Sequence, residues 1–415
     1  MKPHKGTDLG ENVARGSPDG ARIARRLAFV FTRGMDYPPS VHNLKAFYLS
    51  REMRGRGVEV TWVRLGGTER RWEKGGIHFA VLRSPRKAPL HEYFQVLRLA
   101  AFCITSRINL VYEDEWLFLR KKPAARLLGN MILRSLGVKV VLDQRDPFVD
   151  FEVASGELTG GSKKLRRLTL AKSLLLRQAD LVVLPSKAYA DAYESEGIPK
   201  QKVFGVFRGI DPELFRPRTE PNEVRSRLGL EGNFVVGWFG LMHPYRMISE
   251  IIIPLIENLP KEIPNAHVLI GGDGPMLNEF EKIRHGPAGG SFDLLGNIPY
   301  SKLPDYIAAC DVTICPVSTK FRFTMNSNWL KIGESIAVGT PIVASRTRIS
   351  NLDFANVDGI VWTGSDYVSF LEAIKDVQKS LASYRAGAQE QAKHFEAFTI
   401  GITIPTIVDR ALALI

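Results

Sequence analysis

The chain of 415 residues is poor in cysteine and lacks any long apolar run, and both shortages narrow what it can be. Its three cysteines, Cys103, Cys310 and Cys315, fit neither a disulfide framework nor a paired-ligand zinc site. A reducing, cytoplasmic setting is expected. Cys310 and Cys315 flank the apolar run VTI and read as buried strand residues. No stretch of ~18 or more apolar residues occurs, which argues against a spanning helix. Residues 1–26 carry charge and glycine but no apolar centre, so they read as a flexible basic tail rather than a secretory signal.

Acidic residues are scarce in one half only. Residues 1–216 hold 38 Lys and Arg against 23 Asp and Glu, a net charge of +15, and the remainder carries −3. That asymmetry points to an anionic partner for the first half, a membrane surface or nucleic acid. No nucleic-acid-binding module is recognisable, so none is expected as a partner. Segments 119–139 and 163–178 interleave cations with leucines. Each suits either a helix lying on an anionic membrane face or a core-facing helix with a solvated basic side. The expectation is a cytoplasmic protein, peripheral at the inner face of a membrane.

What the chain does have is alternation. Short β-branched or aromatic runs (LAFVFT, VEVTWV, IHFAVL, NLVY, VKVVL, DLVVL, KVFGVF) are separated by helix-length amphipathic stretches. After the polar, proline-containing segment RPRTEPNEV the rhythm restarts with FVVGWF, HVLIG, FDLL, VTIC, PIVA and GIVW. This is the pattern of two parallel sheets covered by helices, an α/β fold with two Rossmann-like domains and a cleft between them. The expected division is a tail over 1–26, an N-terminal domain over 27–216, a C-terminal domain over 217–390 and a helical segment over 391–415. Open α/β sheets bind ligands beyond the carboxyl ends of their strands, so the cleft is where chemistry belongs.

The richest segment is NSNWLKIGESIAVGTPIVAS, residues 326–345. Asn326 and Ser327 can cap a helix that runs to Val338, with Gly339 suited to the stop. Lys331 and Glu334 share a face of that helix. A helix N-terminus aimed into a cleft suits a diphosphate, Lys331 would add a cation, and Glu334 could accept from ribose hydroxyls. Spacing alone equally describes a solvated ion pair on an ordinary helix.

These residues, with GGDGP (271–275) and LLGNIPYSKLPDYIAACDVTICP (294–316), resemble the C-terminal domain of retaining family-4 glycosyltransferases of the GT-B fold. YPPS (37–40), LVVLPSKAYADAY (181–193) and RGIDPELFRP (208–217) are similar to the family's N-terminal segments. The resemblance implies an enzyme that moves a sugar, of hexosyl type, from a nucleotide-sugar donor in the C-terminal domain to a glycan or lipid-linked acceptor in the N-terminal one, with retention and without cofactor or metal. It implies catalytic roles for Lys331, Arg246 and Asp146. Donor contacts fall to Glu334, Asn326, Ser327, Gly240, Asn297 and Gly272, and acceptor-side contacts to Pro39, Ser40, His42 and Arg145. Several positions depart from the family: Leu241 stands where it has an arginine, Asn326 where it has the first of two glutamates, Ser40 and Val41 where it has a glycine pair, and Arg145 with Asp146 where it commonly has a histidine. A noncatalytic sugar- or nucleotide-binding relative, or a sugar-nucleotide epimerase of the same fold, is the alternative. The triplet Glu113, Asp114, Glu115 reads as cleft-edge polar residues rather than a metal motif.

Overall fold

The computed structural model describes residues 25–31, 44–83, 90–113, 122–144, 147–218, 223–326 and 330–415. The first sheet is built from β1 (Arg26–Phe31), β2 (Glu59–Leu65), β3 (Arg70–Lys74), β4 (Ile77–Leu82), β5 (Leu110–Glu113), β6 (Lys139–Asp143), β7 (Leu181–Leu184) and β8 (Val203–Gly205). Its order is β3-β4-β2-β1-β5-β6-β7-β8, and every pair is parallel except β3 with β4. Strand β3 is the one element that apolar runs do not announce. It reads RRWEK and lies at the sheet edge, mostly exposed, where charged side chains are tolerated and discourage further pairing.

The second sheet holds β9 (Phe234–Phe239), β10 (Ala266–Gly271), β11 (Phe292–Gly296), β12 (Val312–Cys315), β13 (Ile342–Ser345) and β14 (Ile360–Thr363) in the order β11-β10-β9-β12-β13-β14, all parallel. Strands buried on both faces read as unbroken apolar runs, as FVVGWF does in β9, where all six residues are buried. Chain order reverses direction between β9 and β12, and between β1 and β5 in the first sheet. Those switch points open crevices at the strand ends.

Helices α1 (Leu44–Gly55), α2 (His91–Thr105), α3 (Pro123–Ser135), α4 (Phe148–Ala154), α5 (Lys163–Gln178) and α6 (Lys187–Ser195) connect the first sheet. Helices α7 (Glu223–Leu228), α8 (Ile253–Glu262), α9 (Leu277–Arg284), α10 (Leu303–Ala308), α11 (Arg322–Asn326), α12 (Leu330–Val338), α13 (Ile349–Leu352), α14 (Tyr367–Lys379) and α15 (Leu381–Lys393) serve the second. The last helix, α16 (Ile400–Leu412), returns to the first sheet, where Ile404, Ile407, Val408 and Ala411 join Leu27, Phe29, Leu49 and Met53 in one core.

Contacts between the two halves are both polar and aromatic. Both Asp353 carboxylate oxygens accept from the first backbone N–H groups of α6, Lys187 at 2.9 Å and Ala188 at 3.5 Å. Ser186, whose Oγ caps α6 by accepting from the Tyr189 N–H, also donates to the Asn326 carbonyl. Phe151 of α4 sets its ring edge-on against Phe323, 5.3 Å away, and against Tyr245 at 6.3 Å. All three cysteines are buried and free.

Candidate active site

The site forms where β9 and β12 diverge. The turn after β9 and the turn after β10 are laced together: the Gly240 N–H donates to Gly271, the Gly272 N–H to Gly296 and the Met242 N–H to Asp273, all at 2.7–2.8 Å. This approach requires glycine, since a Cβ on Gly272, which also has φ +140°, would collide with the Gly240 carbonyl. Gly240 in turn lies against the Lys331 ammonium, so a Cβ there would displace it.

Lys331 is carried by the first turn of α12. Its Nζ is out of contact with solvent and has no hydrogen-bond partner among the described residues; it stands over the Trp238 ring, 5.1 Å from the centroid. Burial, reinforced by the Arg246 charge, lowers the ammonium pKa from its ordinary value to about 7. Arg246 is itself 8% exposed and stands 5.2 Å over the Tyr245 ring. Two cations are thus brought together in a dry crevice. That arrangement is costly unless an anion completes it.

One turn along α12, Glu334 is 5% exposed and its Oε1 accepts from the Tyr300 hydroxyl at 2.9 Å. Burial raises its pKa to about 7; Tyr300, Lys331 and Arg208 oppose the rise. Beneath it the segment 208–217 enters, with Asp211 accepting from the Tyr48 hydroxyl of α1 at 2.7 Å and Phe215 packed 5.2 Å from the Tyr300 ring. Lys331 and Glu334 are therefore not a solvated ion pair on a helix surface. Both point inward.

Two models of known families match the chain, one described as glycosyltransferase family 4 over residues 46–214 and one as glycosyl transferases group 1 over residues 233–380. Between them they span most of both halves. The chain belongs to the family-4 glycosyltransferases.

Within this glycosyltransferase family the chain is 29% identical to a sulfoquinovosyl transferase of Arabidopsis thaliana over 177 residues, 41% of this chain. That match spans 32% of the relative's own length. Among solved structures it is similar to Anabaena HepE in complex with UDP, with a TM-score of 0.70, 18% identity and coverage of 94% of this chain and 100% of that one. Sucrose-phosphate synthase from Thermosynechococcus elongatus follows at 0.69 and 15%, with 94% and 99% covered. The likeness is one of fold, and it gives the glycosyltransferase its GT-B architecture.

Of the residues singled out in the sequence, Lys331, Arg246, Glu334, Gly240 and Gly272 converge on this crevice. Asn297 sits exposed just past the edge strand β11. Asn326 corrects one expectation. It closes α11 instead of capping the next helix, because its Nδ2 donates back to the Arg322 carbonyl at 3.1 Å, within its own helix. Its Oδ1 is buried and without a partner among the described residues. Pro39, Ser40, His42, Arg145, Asp146 and Ser327 lie outside the described residues. Glu113 ends β5, is 6% exposed and is ion-paired with buried Arg126, so it is a buried pair member rather than a solvated residue, while Asp114 and Glu115 fall outside the described residues.

Tyr300, Trp238 and Tyr48 were missed by sequence reasoning. Tyr300 lies inside a segment that resembles the family, but nothing in its spacing links it to Glu334, 34 residues on. Asp311, from the same segment, is structural: it accepts from the Val235 N–H, Arg225 and Arg385 at 2.6–2.8 Å and ties β9 to α7 and α15.

Proposed function

We propose that this glycosyltransferase takes a uridine-diphosphate sugar of hexosyl type and transfers the sugar, with retention, to a glycan or lipid-linked acceptor held by the N-terminal domain. The observation that carries the reading is the solvent-excluded Lys331 ammonium, without a hydrogen-bond partner among the described residues, beside Arg246 at the switch point of the second sheet. A diphosphate supplies the missing countercharge. Glu334 then accepts from the ribose hydroxyls, and the free Oδ1 of Asn326 accepts from a sugar hydroxyl. UDP and UDP-glucose are bound in the Anabaena HepE structures, which supports the choice of nucleotide.

In transfer, the acceptor oxygen bonds to the anomeric carbon, and the acceptor's proton passes to the departing phosphate oxygen. The bond between the anomeric carbon and the diphosphate oxygen breaks, and its electrons go to the departing phosphate. Lys331 and Arg246 stabilise that growing charge from fixed positions, which costs little reorganisation at the moment of reaction. Asp146 orients the acceptor hydroxyl. With two cations doing this work, no metal is required. Titration calorimetry with UDP and UDP-glucose tests the donor site: the wild type binds, Glu334→Ala binds much more weakly, and equal affinity in both would overturn the assignment. Activity lost in EDTA and restored by manganese would overturn the metal-free mechanism. The anomeric configuration of the product, read by NMR, tests retention.

A further inference from the structure

Nine of the twelve large hydrophobic side chains that stand exposed among the described residues lie on or directly beside three neighbouring helices. Helix α3 packs between α2 and α5. Helix α2 is closely seated on it, since a Cβ at Gly129 of α3 would stand 3.0 Å from the Val96 side chain. Each helix buries one stripe in the core and offers another to solvent. On α2 the outer stripe is Phe94, Leu97, Ala101 and Ile104, and on α3 it is Ala124, Leu128 and Met131. On α5 it is Leu170 and Leu174, at 63% and 43% exposure, set between Arg167 and Arg177. An outer stripe at helical spacing of three or four residues, opposite a buried one, has no role in the core of this domain.

Charge says what covers it. Lys163, Lys164, Arg166 and Arg167 are exposed at the start of α5, and Arg98 and Arg134 stand on the other two helices. The one carboxylate on the three helices, Glu92, is buried and contacts His91. Arg98 is paired with the exposed Glu69 and Arg134 lies 3.5 Å from Asp180, so the positive charge that matters is the cluster at the start of α5. An apolar sheet beside such a cluster matches an interface of acyl chains and anionic headgroups. We propose that the outer face of α2, α3 and α5 docks on an anionic lipid surface. Each helix runs antiparallel to the strands it follows, so the cation-rich start of α5 lies toward the strand ends that face the cleft. Docking brings the cleft mouth close to the membrane. The proposal does not depend on the donor assignment, because lipid binding needs neither nucleotide nor transfer.

Sedimentation with vesicles of equal parts phosphatidylcholine and phosphatidylglycerol tests it on the full chain. At low salt the wild type pellets, it stays in solution with phosphatidylcholine alone, and salt releases it. Leu97→Ser with Met131→Ser and Leu170→Ser, and separately Arg166→Glu with Arg167→Glu, each weaken vesicle binding by on the order of tenfold or more. All five side chains are exposed, and unchanged thermal unfolding and UDP binding confirm that the variants are folded. Wild-type protein left in the supernatant, or variants that pellet like the wild type, would overturn the proposal. So would a dimer in lipid-free buffer that the triple serine variant converts to monomer, because the apolar face would then belong to a second copy.

Discussion

The Tyr300 hydroxyl, in the short turn Tyr300–Lys302 after β11, donates a 2.9 Å hydrogen bond to the Glu334 carboxylate on α12. Burial raises that carboxyl to about pKa 7, and the Tyr300 bond is the largest effect holding it down. Ribose recognition by hydrogen-bond acceptance favours the ionised form. UDP affinity should therefore rise with pH as Glu334 ionises and, because the diphosphate needs the Lys331 ammonium whose pKa is also about 7, fall again above that range. Tyr300→Phe removes the opposing bond, so the midpoint of that rise should move to higher pH. Calorimetric titration across about pH 6 to 8 checks it; an unmoved midpoint would separate the two residues.

Lys331 predicts a trade between stability and function. Its pKa in the folded protein is depressed, so the folded state is penalised for carrying the charge. The penalty is fully present below pH about 7 and fades as pH rises toward the ordinary lysine value. Lys331→Met should stabilise the ligand-free protein near neutral pH by on the order of 2 kcal/mol while transfer is lost. Denaturant unfolding with and without UDP measures both halves: the variant starts more stable and gains less from the nucleotide.

Turnover should separate Arg246 from Glu334. Charges aimed at a departing phosphate act mostly as the bond breaks, so Arg246→Ala should lower kcat by roughly tenfold to a hundredfold with a smaller effect on donor affinity. Glu334→Ala should show the opposite emphasis. Equal losses in kcat and donor affinity for Arg246→Ala would mean that it binds the ground state as well as the transition state.

The Asp353 carboxylate receives the first amides of α6 from across the domain boundary. Removing it takes the acceptor from the first N–H groups of α6 and the negative charge from its N-terminal dipole end, so Asp353→Ala should cost about 1–2 kcal/mol. Burial lifts its pKa to about 6, well above the ordinary aspartate range. A raised carboxylate favours folding in its protonated form, so this group's contribution falls as pH rises from about 4 through about 6. The difference between wild type and Asp353→Asn, measured by urea unfolding at both ends of that window, should shift in favour of the asparagine variant at the higher pH.

The sequence made the strands legible because buried parallel strands are apolar throughout: all seven runs noted in the first half and all six in the second appear as strands. It hid β3, whose residues face solvent at an edge and so carry no apolar signal. The cation and carboxylate of α12 were visible at their spacing, but whether they faced the core or solvent was not. That is decided by the turn after β9, some ninety residues earlier in the chain, which places Gly240 against Lys331. Tyr300 was invisible for the same reason: its role comes from β11 and α12 meeting in three dimensions. Nor did residues 400–412 signal which domain they cover, since an amphipathic helix shows that it is buried without showing where.

That last helix gives the clearest stability test. Ile407 of α16 is fully buried among residues of β1, α1 and β7, so the final turns of the chain complete a core begun near its start. Ile407→Ala deletes side-chain carbons from a packed site and should cost about 2–4 kcal/mol. Ile402, on the same helix, is 52% exposed, and its replacement by alanine should cost no more than about 0.5 kcal/mol. Because helix propensity changes in the same direction for both, the comparison isolates packing from helix formation. Far-UV circular dichroism during urea titration reads both variants' stability. If the two variants lose equal stability, α16 rests on the first domain without completing it. If Ile407→Ala alone is destabilised, a chain ended at residue 399 should leave β1 and α1 without their cover and fail to fold the first domain.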